Sequence, residues 1–174
     1  MSKNSNKFKS QEATLYNNIL LLARNELFYT KFDLSDTFQN RIHLIFIHIS
    51  FIFIKSKINL KNNEYKTFYQ KLFDYLFKQI ELNMREVGYG DVSVNKYMKG
   101  LIKSFYNILL YCENYKKEKN ESKNVFFSRY LKSNIHQKMA NNELLIKYFD
   151  KFQAFCFDLS ADNVLKGKLN FNYN

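Results

Sequence analysis

The sequence contains no proline and no tryptophan, and it has only four glycines in 174 residues. Proline and glycine are the residues that most often interrupt regular backbone, so their scarcity favours long, uninterrupted helices. The length fits a single domain whose core is large enough to fold unaided. Cysteine is also scarce: Cys112 and Cys156 stand far apart, without a CxxC or histidine-rich context. This excludes a disulfide framework and a cysteine metal site, and indicates a reducing compartment.

No apolar run is long enough to suggest a membrane span. The longest, IHLIFIHISFIFI at residues 42–54, has 13 residues between Arg41 and Lys55, whereas a spanning helix needs about 20. This run predicts a core helix, although its many β-branched residues are also compatible with a buried strand. The start, MSKNSNKFKSQ, has neither arginine nor an apolar stretch. It is not a signal peptide, and we expect a disordered polar tail over residues 1–13.

Helical spacing of apolar residues elsewhere predicts an all-α fold, a single-domain helical bundle of about six helices over residues 14–160. An extended C-terminal tail is expected over 161–174. The predicted helices cover about 12–24, a segment around 42–54 capped by Ser35 or Asp36, 64–87, 93–117, 125–136 and 142–158. The charged stretch 116–124 is interpreted as a linker. The third predicted helix has a mostly apolar face, made of Phe68, Leu72, Tyr75, Leu76, Gln79, Leu82 and Val87.

Charge is strongly one-sided, with a formal net value of +11 from 23 lysines and 4 arginines against 16 acids. Residues 94–139 alone hold ten basic and three acidic side chains. Two explanations stay open: a compositional bias toward lysine, or an anionic partner such as RNA, a ribosome surface or anionic lipid. Proteins that bind nucleic acid usually favour arginine, whose planar fork pairs with phosphates and guanines. We expect no DNA partner.

The fourth predicted helix separates charge from apolar residues. Lys96, Lys99 and Lys103 gather on the side opposite an apolar stripe. That stripe consists of Val94, Met98, Leu101, Phe105, Ile108, Leu109 and Cys112. A lysine face of this kind is usually only solvated. Here it continues the basic region and follows a glycine-containing turn, a combination that suits a docking surface better than an active site.

The turn itself, REVGYGDVSVNKYMKG at residues 85–100, raises the question of a phosphate-binding loop. A dinucleotide loop requires GxGxxG between a strand and a helix. Ser93 stands at the third glycine position, and the preceding segment is an amphipathic helix. A Walker loop would end in GKS or GKT, which is absent. The sequence therefore favours a tight helix–helix turn relaxed by Gly88 and Gly90, with Asp91 or Ser93 capping the next helix.

No combination of residues predicts catalysis or cofactor binding. His43 and His48 are five residues apart, about 140° around a helix, so they cannot share a metal as ligands four apart do. His136 is isolated, and no Glu-x-x-His or recognisable nucleophile context occurs. We predict a non-enzyme with no catalytic, metal or cofactor site. An enzyme acting on a lipid or isoprenoid stays open as an alternative, which a deep pocket with converging polar groups would indicate.

Two stretches resemble the ubiquinol–cytochrome c chaperone family: LYNNILLLARNELFYTKFDLSDTFQNRIHLIFIHISFIFIK and REVGYGDVSVNKYMKGLIKSFY. The similarity lies in an opening LY helix with ARxxxFY, a D-T-x-x-x-R entry, a histidine-bearing apolar helix, and the glycine turn before a lysine-rich helix. It covers about residues 14–112, and the turn is its most specific part. We expect a bacterial-type member, since neither a membrane anchor nor a long N-terminal extension is recognised.

The resemblance implies a non-enzymatic assembly chaperone for ubiquinol–cytochrome c reductase that binds newly made cytochrome b, possible partners being a small protein and a ribosome or anionic membrane surface. The implied location is cytoplasmic and peripheral to the inner membrane, or alternatively the mitochondrial matrix side. A basic RNA- or ribosome-binding helical module is the alternative function. The family-like and lysine positions together form the predicted docking surface: Arg41, His48, Arg85, Glu86, Gly88, Gly90, Asp91, Ser93, Lys96, Lys99, Lys103 and Tyr106.

Overall fold

The computed structural model describes residues 10–134 and 142–173, and this part of the chain is built almost entirely from helices. Six helices are longer than ten residues, which confirms the predicted all-α bundle. Leu34 and Ser133 form an isolated antiparallel bridge. The described ranges contain no β-strand. The helices are α1 Gln11–Ala23, α2 Leu27–Thr30, α3 Phe38–Asn59, α4 Asn62–Glu86, α5 Asp91–Asn114, α6 Asn120–Tyr130, α7 Glu143–Asp158 and α8 Ala161–Leu165, with a 3₁₀ turn at Tyr115–Lys117.

Helix α3 is the centre of the bundle. It packs most extensively against α5 and also contacts α1, α4, α7 and α8. Its residues from Ile42 to Ser56 are buried without interruption, which explains why the run is apolar on every side. Its two buried serines are satisfied within the helix: Ser50 and Ser56 donate to the carbonyls of Phe46 and Ile52, at 2.7 and 2.8 Å.

By length and composition α3 could cross a membrane, but 78% of its 18-residue apolar window is buried inside the bundle. This burial identifies the run as a core helix, as the sequence predicts, and excludes the buried-strand reading. Its N-cap differs from the prediction. Thr37 accepts from the amide of Asn40 at 3.2 Å, whereas Asp36 pairs with Arg41 at 2.6 Å.

The core faces of α4 and α5 agree with the predicted stripes except at the end of α4. The predicted face of α5 is confirmed, with Val94, Leu101, Phe105, Ile108 and Cys112 buried. On α4 the buried residues are Phe68, Leu72, Leu76, Phe77, Ile80 and Met84. Leu82 and Val87 instead face solvent, 43% and 74% exposed. In the last turns of α4 the predicted apolar face no longer coincides with the buried face, which continues through Ile80 and Met84.

The charged stretch 116–124 is not a linker throughout. Helix α6 begins at Asn120, five residues before the predicted start, and ends at Tyr130; position 136 lies outside the described residues. The surroundings of Lys123 explain why this charged stretch is part of a packed helix. The side chain of Lys123 is buried, its ammonium contacts Asp150 at 2.7 Å, and it lies 4.3 Å from the ring centre of Tyr115. A paired, buried lysine thus belongs to the core face of α6, although its charge suggests exposure.

The end of the chain contains one more helix than expected. The short helix α8 is capped by Ser160, whose hydroxyl accepts from the amide of Asn163 at 3.2 Å. Gly167 then adopts a positive φ of 70° and packs against α1, where a side chain would collide with the backbone of Leu15. Beyond it the chain runs to Tyr173 without regular secondary structure. At the other end, α1 includes Gln11–Ala13, which lie in the predicted polar tail.

Candidate functional site

The α4–α5 corner, residues 81–103, is built around a complete helix stop signal. After α4 ends, Gly88 takes a φ of 100°, a region that side chains other than glycine rarely adopt. The amide of Tyr89 donates to the carbonyl of Met84 at 3.1 Å, and the amide of Gly88 donates to that of Arg85 at 3.0 Å. This pair of bonds is a Schellman motif. The glycine therefore serves the turn, and not a phosphate.

Gly90 plays a different part from Gly88. It is the N-cap of α5 with an extended backbone, φ −73° and ψ 160°, and no side chain supplies a capping hydrogen bond. The expected cap at Asp91 or Ser93 is therefore wrong. Asp91 is the first helical residue, and its carboxylate contacts the guanidinium group of Arg85. Arg85 also binds Glu81 at 2.9 Å, and thus joins the last turns of α4 to the first turn of α5.

Arg85 keeps its positive charge at this bridge. The hydrogen bonds that Arg85 donates to Asp91, and then those to Glu81, raise the pKa of Arg85 above its ordinary value. All three groups lie at the surface, 42–78% exposed, so solvent screens their attraction. The bridge fixes the geometry of the corner more than it stabilises the fold.

Apolar side chains are exposed on both sides of the bridge. Val92 is 84% exposed, and Tyr89 and Tyr97 meet edge to face with ring centres 5.5 Å apart. Leu82 and Val87, which leave the core face of α4, lie at the same corner. Single exposed apolar residues are common, whereas several around one turn indicate a contact surface.

A lysine face extends from this apolar corner along α5. Between Val92 and Cys112 the sequence has no acidic residue. Lys96, Lys99 and Lys103 are exposed, and within the described ranges none of them forms an ion pair. Their positive charge is uncompensated, so it is available to an anionic partner.

A groove of about 520 Å³ opens beside the lysines, between the start of α3 and α5. Gly100 lies in its wall, and a side chain there would meet no atom within 4 Å. The lining contains a lysine and a tyrosine but no carboxylate, histidine or cysteine, so it offers no acid–base pair. It is formed by Gln39, Ser93, Lys96, Tyr97, Gly100, Leu101 and Ser104.

The structure gathers most, but not all, of the predicted docking residues. Exposed positions of the corner and of α5 include Arg85, Glu86, Gly88, Gly90, Asp91, Ser93, Lys96, Lys99, Lys103 and Tyr106. Arg41 is not joined to them; its charged contacts in the described structure are with Asp36 and the ring of Tyr29. His48 is wrong as a surface residue, because it is completely buried between α3 and α7.

Sequence reasoning missed the exposed apolar residues of the corner. Helical spacing predicts Leu82 and Val87 on the core face, and it does not mark Val92, Tyr89 or Tyr97 as exposed. A signal was present for Val92: on a helical wheel it lies about 160° from Val94 and therefore on the lysine side of α5.

Among the described residues, no group of three histidine, cysteine or acidic side chains could hold a metal ion.

The family model of the ubiquinol–cytochrome c chaperones matches residues 30–171. The chain belongs to this family. The match starts later than the resemblance seen over residues 14–112 and continues through α6, α7 and α8, so the ubiquinol–cytochrome c chaperone domain includes the C-terminal helices. No curated protein sequence is significantly similar to the chain.

Among solved structures, the fold of this chaperone family member is similar to the Cbp3 homolog from Brucella abortus. The TM-score is 0.78 at 22% sequence identity, and the alignment covers 94% of this chain and 89% of that one. At this identity the similarity establishes a shared fold across almost the whole chain.

Proposed function

We propose that this chain is a non-enzymatic assembly chaperone of ubiquinol–cytochrome c reductase that binds newly made cytochrome b through the α4–α5 corner. Membership of the chaperone family supports the assembly role. The observation that carries the docking site is the exposed apolar corner beside an uncompensated lysine face. An apolar client segment can pack on the former, while the latter faces an anionic surface.

The corner is suited to binding because it is both rigid and exposed. The Schellman motif and the Arg85 bridge hold the turn between two long helices. Val92 and Val87 can therefore contact a partner without reorganising the backbone, which lowers the entropic cost of association. The side chains of the corner supply contact area, and none is placed to carry out a reaction.

The proposed location follows from the client. Cytochrome b is a hydrophobic membrane protein, so its chaperone must meet it at the membrane surface. We place the protein on the cytoplasmic face of the inner membrane, or on the matrix side in a mitochondrion. A small partner protein and the ribosome are further proposed contacts. The lysines of α5 would face the anionic surface of the ribosome.

Deleting the gene and measuring complex III and its haem b tests this function. We expect the amounts of complex III and haem b to fall in the deletion strain. Reintroducing the intact gene should restore both. Normal amounts of both in the deletion strain would contradict the proposal. Affinity capture from the native cell separates it from the RNA-binding alternative: cytochrome b among the recovered proteins supports the chaperone, and ribosomes alone favour the RNA module.

A further inference from the structure

A second surface of the protein is covered by the chain's own last described residues. We call Leu169–Tyr173 the strap. Its side chains alternate: Leu169, Phe171 and Tyr173 pack against the core, whereas Asn170 and Asn172 are exposed. This period of two is the pattern of an extended segment with one buried face.

The strap lies in an aromatic groove formed mainly by α7. The ring of Phe171 lies 5.1 to 5.5 Å from the rings of Phe152, Phe155 and Tyr148. Tyr173 lies 5.0 Å from Tyr148. These separations are typical of favourable aromatic pairs, so the groove recognises the strap by its ring side chains.

The floor of the groove is held in place from below. Tyr148 is only 2% exposed, and its hydroxyl donates to Nε2 of His48 on α3 at 2.9 Å. Phe28 packs edge to face on Tyr148, with ring centres 4.8 Å apart. The rings that face the strap therefore belong to the rigid core, and the groove would keep its shape without the strap.

By contrast, the strap has no backbone anchors. The preceding turn is fixed by the amide of Lys168, which donates to the carbonyl of Asn163 at 2.8 Å, and by Asn18, which donates to the carbonyl of Gly167 at 2.6 Å. In the described structure no backbone hydrogen bond involves residues 169–173. A segment held by side-chain contacts alone separates from its site at low cost.

We propose that the strap is an intramolecular ligand of this groove, and that an extended apolar segment of the client protein displaces it. The occupant is inferred from what the groove already holds: an uncharged, extended peptide with large apolar side chains at alternate positions. The client part of this inference rests on the proposed chaperone function. A tethered segment competes at an effective concentration of about millimolar, so the strap would exclude weakly binding peptides and yield to tightly binding ones.

Binding in trans tests the groove without any client. The protein shortened to end at Lys168 is titrated into a fluorescein-labelled peptide of residues 168–174, KLNFNYN, and fluorescence anisotropy is measured. We expect the shortened protein to bind at least about ten-fold more tightly than the full chain, in which the strap competes. The regrouped peptide KLFYNNN should bind neither protein. Equal affinities of the two proteins, or no binding by a folded shortened protein, would overturn the proposal.

If circular dichroism shows that the shortened chain does not fold, the full-length variant F171A replaces it. N172A, which changes an exposed strap residue, is the matched control. Tighter peptide binding by F171A than by N172A supports the groove, and equal binding overturns it.

Displacement is followed with F171W, because the natural chain has no tryptophan. The probe is an unlabelled peptide of alternating phenylalanine and serine. We expect its binding to shift the tryptophan emission to longer wavelength as residue 171 moves into water. Binding without an emission change would overturn displacement, and so would absence of binding. The probe is not cytochrome b, so this experiment tests only displacement of the strap. The complex III measurement tests the proposed chaperone function, and either proposal can fail without the other.

Discussion

Nε2 of His48 accepts a hydrogen bond of 2.9 Å from the hydroxyl of Tyr148, in the interior between α3 and α7. The tautomer follows from the other ring nitrogen, since Nδ1 lies 2.6 Å from the carbonyl of Leu44 and must donate to it. Complete burial keeps the imidazole neutral near pH 7, so Nε2 carries no proton and accepts from Tyr148. Burial lowers the pKa of His48 to about 4, against a weaker raising effect of the Leu44 carbonyl.

This neutral histidine predicts acid sensitivity. The folded pKa is depressed, so the unfolded chain binds more protons between about pH 6.5 and 4. The contribution of His48 to stability is thus complete above pH 6.5 and is lost as the pH falls toward 4. From pH 6.5 to 5 we expect the free energy of unfolding to fall by about 2 kcal/mol from this residue, as measured by urea denaturation.

The variant H48L provides the control for that slope. It should be less stable at pH 7, because Tyr148 loses its acceptor, but its stability should depend less on pH. A remaining slope is expected from His43, whose pKa burial also lowers. An unchanged slope in H48L would contradict the assignment of a neutral, buried His48.

The two glycines of the corner should differ in their tolerance of substitution. G88A forces a side chain into a φ of 100°, so we expect a loss of about 1–2 kcal/mol. G90S is the matched control: at an N-cap with extended backbone, serine is as good as glycine or better by a few tenths of a kcal/mol. Thermal or chemical unfolding measures both. Equal losses at the two positions would show that the Schellman turn does not determine the requirement for glycine.

Much of the bundle was predictable because apolar spacing determines which side of each long helix is buried. The apolar face of α5 and the core character of α3 followed from this rule. The errors have particular physical causes. The burial of Lys123 depends on Asp150, a residue on another helix, and this pairing is invisible in local sequence.

The candidate site was predictable in part. The glycine turn and the lysines follow from local sequence, and the structure places them together. The exposure of Leu82 and Val87 does not follow from local sequence, because it depends on where α4 separates from the core. His48 was misplaced for a related reason. A histidine within an apolar helix can point outward, or inward toward a hydroxyl, and the hydroxyl of Tyr148 lies 100 residues away.

Val92 should matter for assembly and not for folding. An acid in the first turn of a helix is favourable to the helix dipole, and Val92 is 84% exposed. We therefore expect V92D to change the free energy of unfolding by less than about 0.5 kcal/mol while lowering complex III in the cell. V125D, at another exposed valine on α6, is the control. Equal complex III levels in the two strains would exclude a role for the corner.

The lysine face can be separated from net charge. Reversal of Lys96, Lys99 and Lys103 to glutamate should reduce assembly of complex III, because α5 would repel an anionic surface. The control reverses three exposed lysines of α4, Lys66, Lys71 and Lys78, which changes the total charge equally. Similar effects of both triple variants would indicate that the lysines act only through composition.

The most direct test of the central claim is site-specific photo-crosslinking in the native cell. A crosslinking residue is placed at Val92 in the corner or at Ile58, an exposed apolar residue at the end of α3. Ile58 follows Lys57, which contacts Glu113 at the far end of α5, about 33 Å along the helix from the corner. We predict that newly made cytochrome b is crosslinked from position 92 and not from position 58. Absence of cytochrome b at both positions, or equal yields from the two, would contradict docking at the α4–α5 corner.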